Sequence, residues 1–449
     1  MAQSYSPEAR IPPFLSATLL YALWDRLRTS FWFLPSVMAA AAIALSFVLV
    51  RADAWPGAEA VREFGWLYRF GPEGARAILS AIASSMITVA GLTFSITMLT
   101  LQLASSQFGP RLLRDFMRDR GNQLVLGTFI STFAYCLLVL RTVRGTEGSS
   151  FVPHLAVLFG VLLALASIAV LIYFIHHIAT SIRVETLLAQ LATETRAAID
   201  RLYPERLGHD PMPGERRTPA HLIPADFENA ARRVQAERSG YVQRVDAEAL
   251  MRLATEHDLL VRVEARPGRF VTERDAVLMA HPSDRVVERV VDRLHAALVI
   301  GQDRTPEQDL EFSIRRIVEI AQRALSPGIN DPTTALYCID RLGEAFRRMA
   351  GRDLPSPLRF DDTGHLRIIT EVLSLDELAC PAFAALARYG IADQDVVARL
   401  LSTMDLLQGA TAPEVRRAIS QLSEAIRRES EEGSREFDRV RFREPGGLA

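Results

Sequence analysis

The chain has 449 residues and a net charge of −2, so no overall excess of charge argues for nucleic acid as a partner. All 51 basic residues are arginine, and without lysine there is no Schiff base, no phosphate-loop lysine and no biotinyl or lipoyl attachment. Cys136, Cys338 and Cys380 lie far apart with no CxxC, which sets aside a disulfide framework and a thiolate zinc site.

Residues 1–30 form an amphipathic lead in which Phe14, Leu19, Leu23, Trp24 and Leu27 suggest an interfacial helix. Phe31 to Val50 is a run of twenty residues without a charge, enough at ~1.5 Å per residue to cross a ~30 Å hydrocarbon core. Ala52-Asp53-Ala54 has the look of a signal-peptide cleavage site, but thirty residues ahead of the apolar run are too many for one. A loop over 51–74 follows, with Trp66, Tyr68 and Phe70 suited to the headgroup layer.

The second span, 75–108, carries no charge for thirty-two positions after Arg76, yet it is rich in serine, threonine and glutamine. Such a helix does not face lipid all round. Arg111, Arg114, Arg118 and Arg120 come next, and then Asn122–Leu140 and Phe151–Ile178 supply the third and fourth spans. Arg26, Arg28, the arginines of 109–121 and Arg183 fall on one side, which predicts four spans with both termini in the cytoplasm.

Apolar positions Ile178, Ile182, Leu188, Leu191, Ala198 and Leu202 carry the fourth span's helical period onward, predicting a cytoplasmic stalk over 179–204. Five prolines in 204–224 mark a linker, placed at 205–225. A small β-rich subdomain is expected over 226–282. Ser239-Gly240-Tyr241-Val242, the alternating Leu259–Arg266, Phe270-Val271 and Val277-Leu278-Met279 read as strands. Their pattern weakly resembles a barrel-sandwich hybrid that has lost its lysine. Residues 283–430 are expected to be helical, with Val286, Val290, Leu294 and Leu298 on one face. Thr305-Pro306-Glu307-Gln308 reads as a helix start, Asp331-Pro332 as another, 351–365 as a turn or hairpin, and 431–449 as a disordered tail. The fold class is thus a four-span helical bundle followed by a cytoplasmic α+β domain.

Four groups of residues are candidates for function. Ser84, Thr88, Gly91, Ser95, Gln102 and Ser106 recur at steps of three, four or seven and share one helix face. Such a stripe packs helices together or, in an oligomer, lines an aqueous pore. Arg111, Arg114, Arg118 and Arg120 sit where the span ends, as a pore mouth or as contacts for anionic lipid. His176 and His177 point about 100° apart on a helix and do not chelate one metal together. In SPGINDPTTA, Asn330, Asp331 and Thr333 make a ligand loop or simply a turn and a cap, with Gly328 allowing the turn. Asp309 and Glu311 are nearby carboxylates for a divalent cation, though on differing helix faces. No GxSxG, HExxH, GxGxxG or phosphate-loop motif is present, and no enzyme, metal or cofactor is expected.

The second span with its SSQFGPRLLRDF exit, the SGYVQ strand, TPEQD and SPGINDPTTA together resemble a bacterial family described as domain of unknown function 2254. The resemblance implies a predicted membrane protein and brings no activity with it; the bacterial inner membrane is the expected location. The expectation is an oligomeric ion channel or pore lined by the second span, its partners being further copies of itself, lipid and ions. The alternative is a non-conducting membrane scaffold or sensor whose cytoplasmic domain binds a ligand or partner.

Overall fold

A computed structural model describes residues 31–55, 71–108, 119–146, 149–181, 183–203, 222–352, 354–409 and 411–441. The chain divides into two compact units, 1–183 and 184–449. The interfacial lead of 1–30 and Arg111, Arg114 and Arg118 lie outside the described residues.

Among the described residues of the first unit, four helices are long and apolar enough to cross a membrane: α1 (Phe33–Asp53), α2 (Pro72–Phe108), α3 (Arg120–Thr142) and α4 (His154–Ser181). Strands β1 (Arg144–Thr146) and β2 (Ser149–Phe151) pair as a hairpin between α3 and α4. Helix α3 is central and packs on the other three. Gly127 lets α1 approach it, because a Cβ there would stand 2.6 Å from Met38 Sδ and 3.2 Å from the Pro35 Cα. Two clusters fill the bundle. One joins Leu79 and Ala83 to Tyr135, Val139 and Ala156, and the other joins Met86 and Ala90 to Val125, Phe129 and Phe174. The cleavage-like Asp53 clamps the bundle: its carboxylate accepts the Leu155 and Ala156 N–H groups, both at 3.0 Å, where α4 starts with unpaired donors.

The second unit begins with α5 (Val184–Leu202), and here the expected stalk is corrected. Helix α4 ends at Ser181. Leu187, Leu188, Leu191, Ala198 and Ile199 are buried in the second unit against α9 (Leu310–Ala324) and α10 (Pro332–Ala350). Apolar spacing alone could not tell a continuous helix from two collinear in sequence. Ion pairs lock α5 down. Asp200 accepts both guanidinium nitrogens of Arg348 at 2.7 and 2.9 Å, and the buried Arg316 donates to Glu194 at 2.8 Å.

After α6 (Phe227–Ala230) come β3 (Arg232–Gln235), β4 (Gly240–Val245), α7 (Ala247–Glu256), β5 (Leu260–Val263), β6 (Phe270–Val271), β7 (Ala276–His281), α8 (Glu288–Ala296) and β8 (Leu298–Gly301). Beyond α9 and α10 lie β9 (Leu358–Phe360), β10 (Leu366–Ile369), α11 (Leu375–Gly390), α12 (Gln394–Gln408) and α13 (Pro413–Arg441). The expected strands form, but they do not close a barrel. β4 and β6 join β8 in a three-stranded antiparallel sheet, whereas β5 and β7 belong to a five-stranded sheet ordered β3-β7-β5-β10-β9. Only β5 and β10 run parallel in that sheet. Helix α7 and the sheets share one apolar core around Leu250, Val261, Leu278 and Leu294.

Three local expectations change. Leu298 opens a strand rather than ending the α8 face. The helix expected at Thr305-Pro306 begins instead at Leu310, capped by Asp309, whose carboxylate accepts the Phe312 N–H at 2.9 Å. Helix α13 continues to Arg441, through the start of the segment read as a disordered tail.

Candidate functional site

The buried face of α2 is Ala75, Leu79, Ala83, Met86, Ala90, Thr93 and Thr100, which meets α3 and α4. Ser84, Thr88, Gly91, Ser95 and Gln102 are all exposed, on the side of the helix roughly opposite that face. The stripe is therefore not consumed by packing inside the chain. Ser106 continues the same helix, but its side chain lies outside the described residues.

Hydroxyls of the helix donate one turn back. Thr88 donates to the Ser84 carbonyl at 2.8 Å, Ser95 to Gly91 at 2.9 Å, and Ser85 to Ala81 at 2.7 Å. Each hydroxyl proton is satisfied by its own backbone, and the oxygen lone pairs are left turned outward. A hydroxyl so arranged tolerates lipid and can also face an ion. Gln102 differs, because a carboxamide exposed on a membrane helix has two N–H donors and an acceptor to satisfy. Gly91 adds no bulk, and nothing lies within 4 Å of where its Cβ would be.

At the arginine-bearing end, Arg120 is exposed as the first residue of α3. Asp119 caps that helix, accepting the Gly121 N–H at 2.8 Å. The two histidines separate. His177 meets Asp119 at 2.6 Å and stacks on Tyr173 at 5.3 Å, while His176 is exposed. Gly121 is required there, since a Cβ would fall 2.7 Å from His177 Nε2. The sequence alone does not show this His–Asp tie between α3 and α4. The signal was an aspartate two residues ahead of Gly121 at a span's start, the spacing of an N-cap.

In SPGINDPTTA the turn does not rest on Gly328, which is not in the left-handed region. Asn330 takes that conformation, with φ of 50°. Asp331 caps α10 by accepting the Thr334 N–H at 3.1 Å and its hydroxyl at 2.6 Å. Asn330 and Thr333 are exposed. The Asp331 carboxylate is committed to the cap.

TPEQD is the joint between sheets and helices. Gln308 pairs with the Val245 backbone as a peptide would, accepting its N–H at 2.9 Å and donating to its carbonyl at 3.1 Å. The buried Asp309 holds Arg304 through two hydrogen bonds of 2.7 and 2.8 Å. Gly268, at φ 90°, passes so close that a Cβ would lie 2.2 Å from the Asp309 carboxylate. Glu311 takes Arg266 at 3.1 Å and Arg304 at 3.3 Å. Burial pushes the Glu311 carboxyl upward, but the Arg266 hydrogen bond and the two guanidinium charges outweigh it and hold its pKa below the ordinary value. These carboxylates are already neutralised by arginine and do not form a cation site. Among the described residues no group of three or more His, Cys, Asp or Glu is placed to hold a metal ion.

Residues 28–405 match the model of a family described as "Predicted membrane protein (DUF2254)". The chain is 34% identical over 430 residues to the uncharacterized protein Rv1290c of Mycobacterium tuberculosis (strain H37Rv), covering 93% of this chain and 80% of that one. Uncharacterized protein Mb1321c of Mycobacterium bovis matches with the same identity and coverage. No solved structure matches the chain.

Proposed function

The chain belongs to the DUF2254 family of predicted membrane proteins, and from that premise we propose that it assembles as a homo-oligomeric ion channel or pore of the bacterial inner membrane. The second helices surround the axis, and the 184–449 units stand on the cytoplasmic side as a vestibule. One observation carries this reading: Ser84, Thr88, Gly91, Ser95 and Gln102 are exposed on the face of α2 turned away from its own bundle. A polar, uncharged stripe left outside a bundle is open to water or to another copy, and Gln102, with two donors and an acceptor to satisfy, is its member least suited to acyl chains. The exposed Arg120 at the inner end gives any such passage a positive rim.

Purified protein in a planar bilayer tests this. Discrete currents are expected, and Gln102→Leu should reduce or abolish them while leaving the assembly intact. Absence of current in both potassium and chloride gradients would overturn it.

A second reading, a non-conducting membrane sensor, draws on a different observation, an apolar cleft in the second unit. In that reading the polar stripe serves assembly alone.

A further inference from the structure

The second unit contains a cleft of about 240 Å³ where α7, β5, β10 and the TPEQD joint converge. Its floor is aliphatic, made by the buried side chains of Leu250, Val263, Leu310 and Ile368. The back wall is Tyr203, just past the end of α5, whose hydroxyl donates to the Leu373 carbonyl at 2.8 Å. The volume equals roughly eight waters at ~30 Å³ each and falls below the range of cofactor and nucleotide pockets.

Most polar groups of the lining are already committed. Gln308 is bound to the Val245 backbone, Asp309 to Arg304, and Arg359 to the Ser356 and Leu358 carbonyls. Arg266 and Glu371 are different. Arg266 gives one arm to Glu311, while its Nε stands 3.6 Å from a Glu371 carboxylate that is 53% exposed. That separation is an ion pair without a hydrogen bond. The rim therefore sets a cation and an anion side by side above a hydrophobic floor, and in the ion-pair cluster behind it the carboxylates outnumber the guanidinium groups by one.

We propose that this cleft binds an α-amino acid with an apolar side chain. Its carboxylate sits on Arg266, its ammonium on Glu371, and its side chain on the Leu250–Ile368 floor. A zwitterion replaces one loose ion pair by two charge-assisted hydrogen-bonded ones, and the floor excludes polar side chains of equal size. A free carboxylic acid or amine satisfies only half of the rim. The inference concerns the second unit alone and stands whether or not the spans conduct.

The test is calorimetric titration of the full-length protein in lipid nanodiscs with L-leucine, L-methionine and L-phenylalanine. The comparators are 4-methylpentanoate, which lacks the ammonium, and 3-methylbutylamine, which lacks the carboxylate. At least one amino acid is expected to bind saturably, one per chain, and both comparators more weakly by about tenfold or more. Ala247→Trp, on the exposed rim of the cleft, should abolish binding without changing thermal unfolding. Glu371→Gln should weaken the amino acid and strengthen 4-methylpentanoate, whose carboxylate then no longer competes with an anion for Arg266. The proposal is overturned if none of the three amino acids binds at millimolar concentration. It is equally overturned if a comparator matches them, or if Ala247→Trp binds as the unaltered protein does.

Discussion

In the 1–183 unit, Thr88 and Ser95 send their protons one turn back along their own helix and keep an outward face that the bundle does not use. In the 184–449 unit, the buried Asp309 meets Arg304 and the buried Arg316 meets Glu194. Polar groups in the second unit are structural, since removing one strands another in a poorly solvated place. The outward polar groups of α2, unlike its buried Thr93 and Thr100, take no part in packing the bundle, so their presence needs a reason outside it.

Substitutions that remove structural polar groups should therefore separate sharply from those on the stripe. The largest effect is expected from Asp309→Ala, which takes from the half-buried Arg304 its buried partner, leaving it Glu311 alone, and removes the cap of α9. A loss of about 3–5 kcal/mol, read by denaturant unfolding, follows from breaking one side of such a pair. Gly268→Ala acts on the same joint through backbone strain and collision with Asp309, costing on the order of 1–3 kcal/mol. Asp331→Ala removes an N-cap, and a cost of about 1 kcal/mol is expected. That modest figure would show SPGINDPTTA to be a turn and a cap; loss of a ligand-dependent signal with unchanged stability would argue for a binding loop instead.

These sites also show where the sequence was legible. Four spans could be read from runs without charge, because hydrocarbon thickness imposes a length that no other context requires. Strands β4 to β7 were visible through alternation and their Gly and Pro punctuation. Which sheet each strand joined was not, because pairing depends on β3, β8 and β10, whose partners are distant in sequence. The fate of α5 was hidden for a similar reason: the same Leu188 and Leu191 would suit a free stalk or a core, and only α9 and α10 decide. The stripe on α2 was legible as a pattern. Its direction, away from the bundle, was not, since both faces of the helix are uncharged.

Smaller effects sharpen the contrast further. The hydrogen bond from Arg348, with the charge of Arg352, holds the Asp200 carboxyl below its usual range. Its folded pKa is lowered, so its contribution is present above the unfolded value of ~3.9 and is lost as pH falls through the folded one. Asp200→Asn should cost only ~0.2–1 kcal/mol near neutrality, as for a half-exposed pair, and the difference from the unaltered protein should vanish on acidification. Thr88→Val and Ser95→Ala should change unfolding by less than ~0.5 kcal/mol. A large stability loss at either position would erase the distinction between the units.

The most direct test of the account asks whether water reaches the outward face of α2. In a background with Cys136, Cys338 and Cys380 replaced, single cysteines at Ser84, Thr88 and Ser95 would be exposed to a charged, membrane-impermeant thiol reagent. Leu165, exposed on α4, serves as the lipid-facing control. The account predicts rapid labelling at the three α2 positions in the assembled protein, with block of current where current is measured, and none at Leu165. Equal protection of all four positions would contradict a water-filled lumen along the second helix.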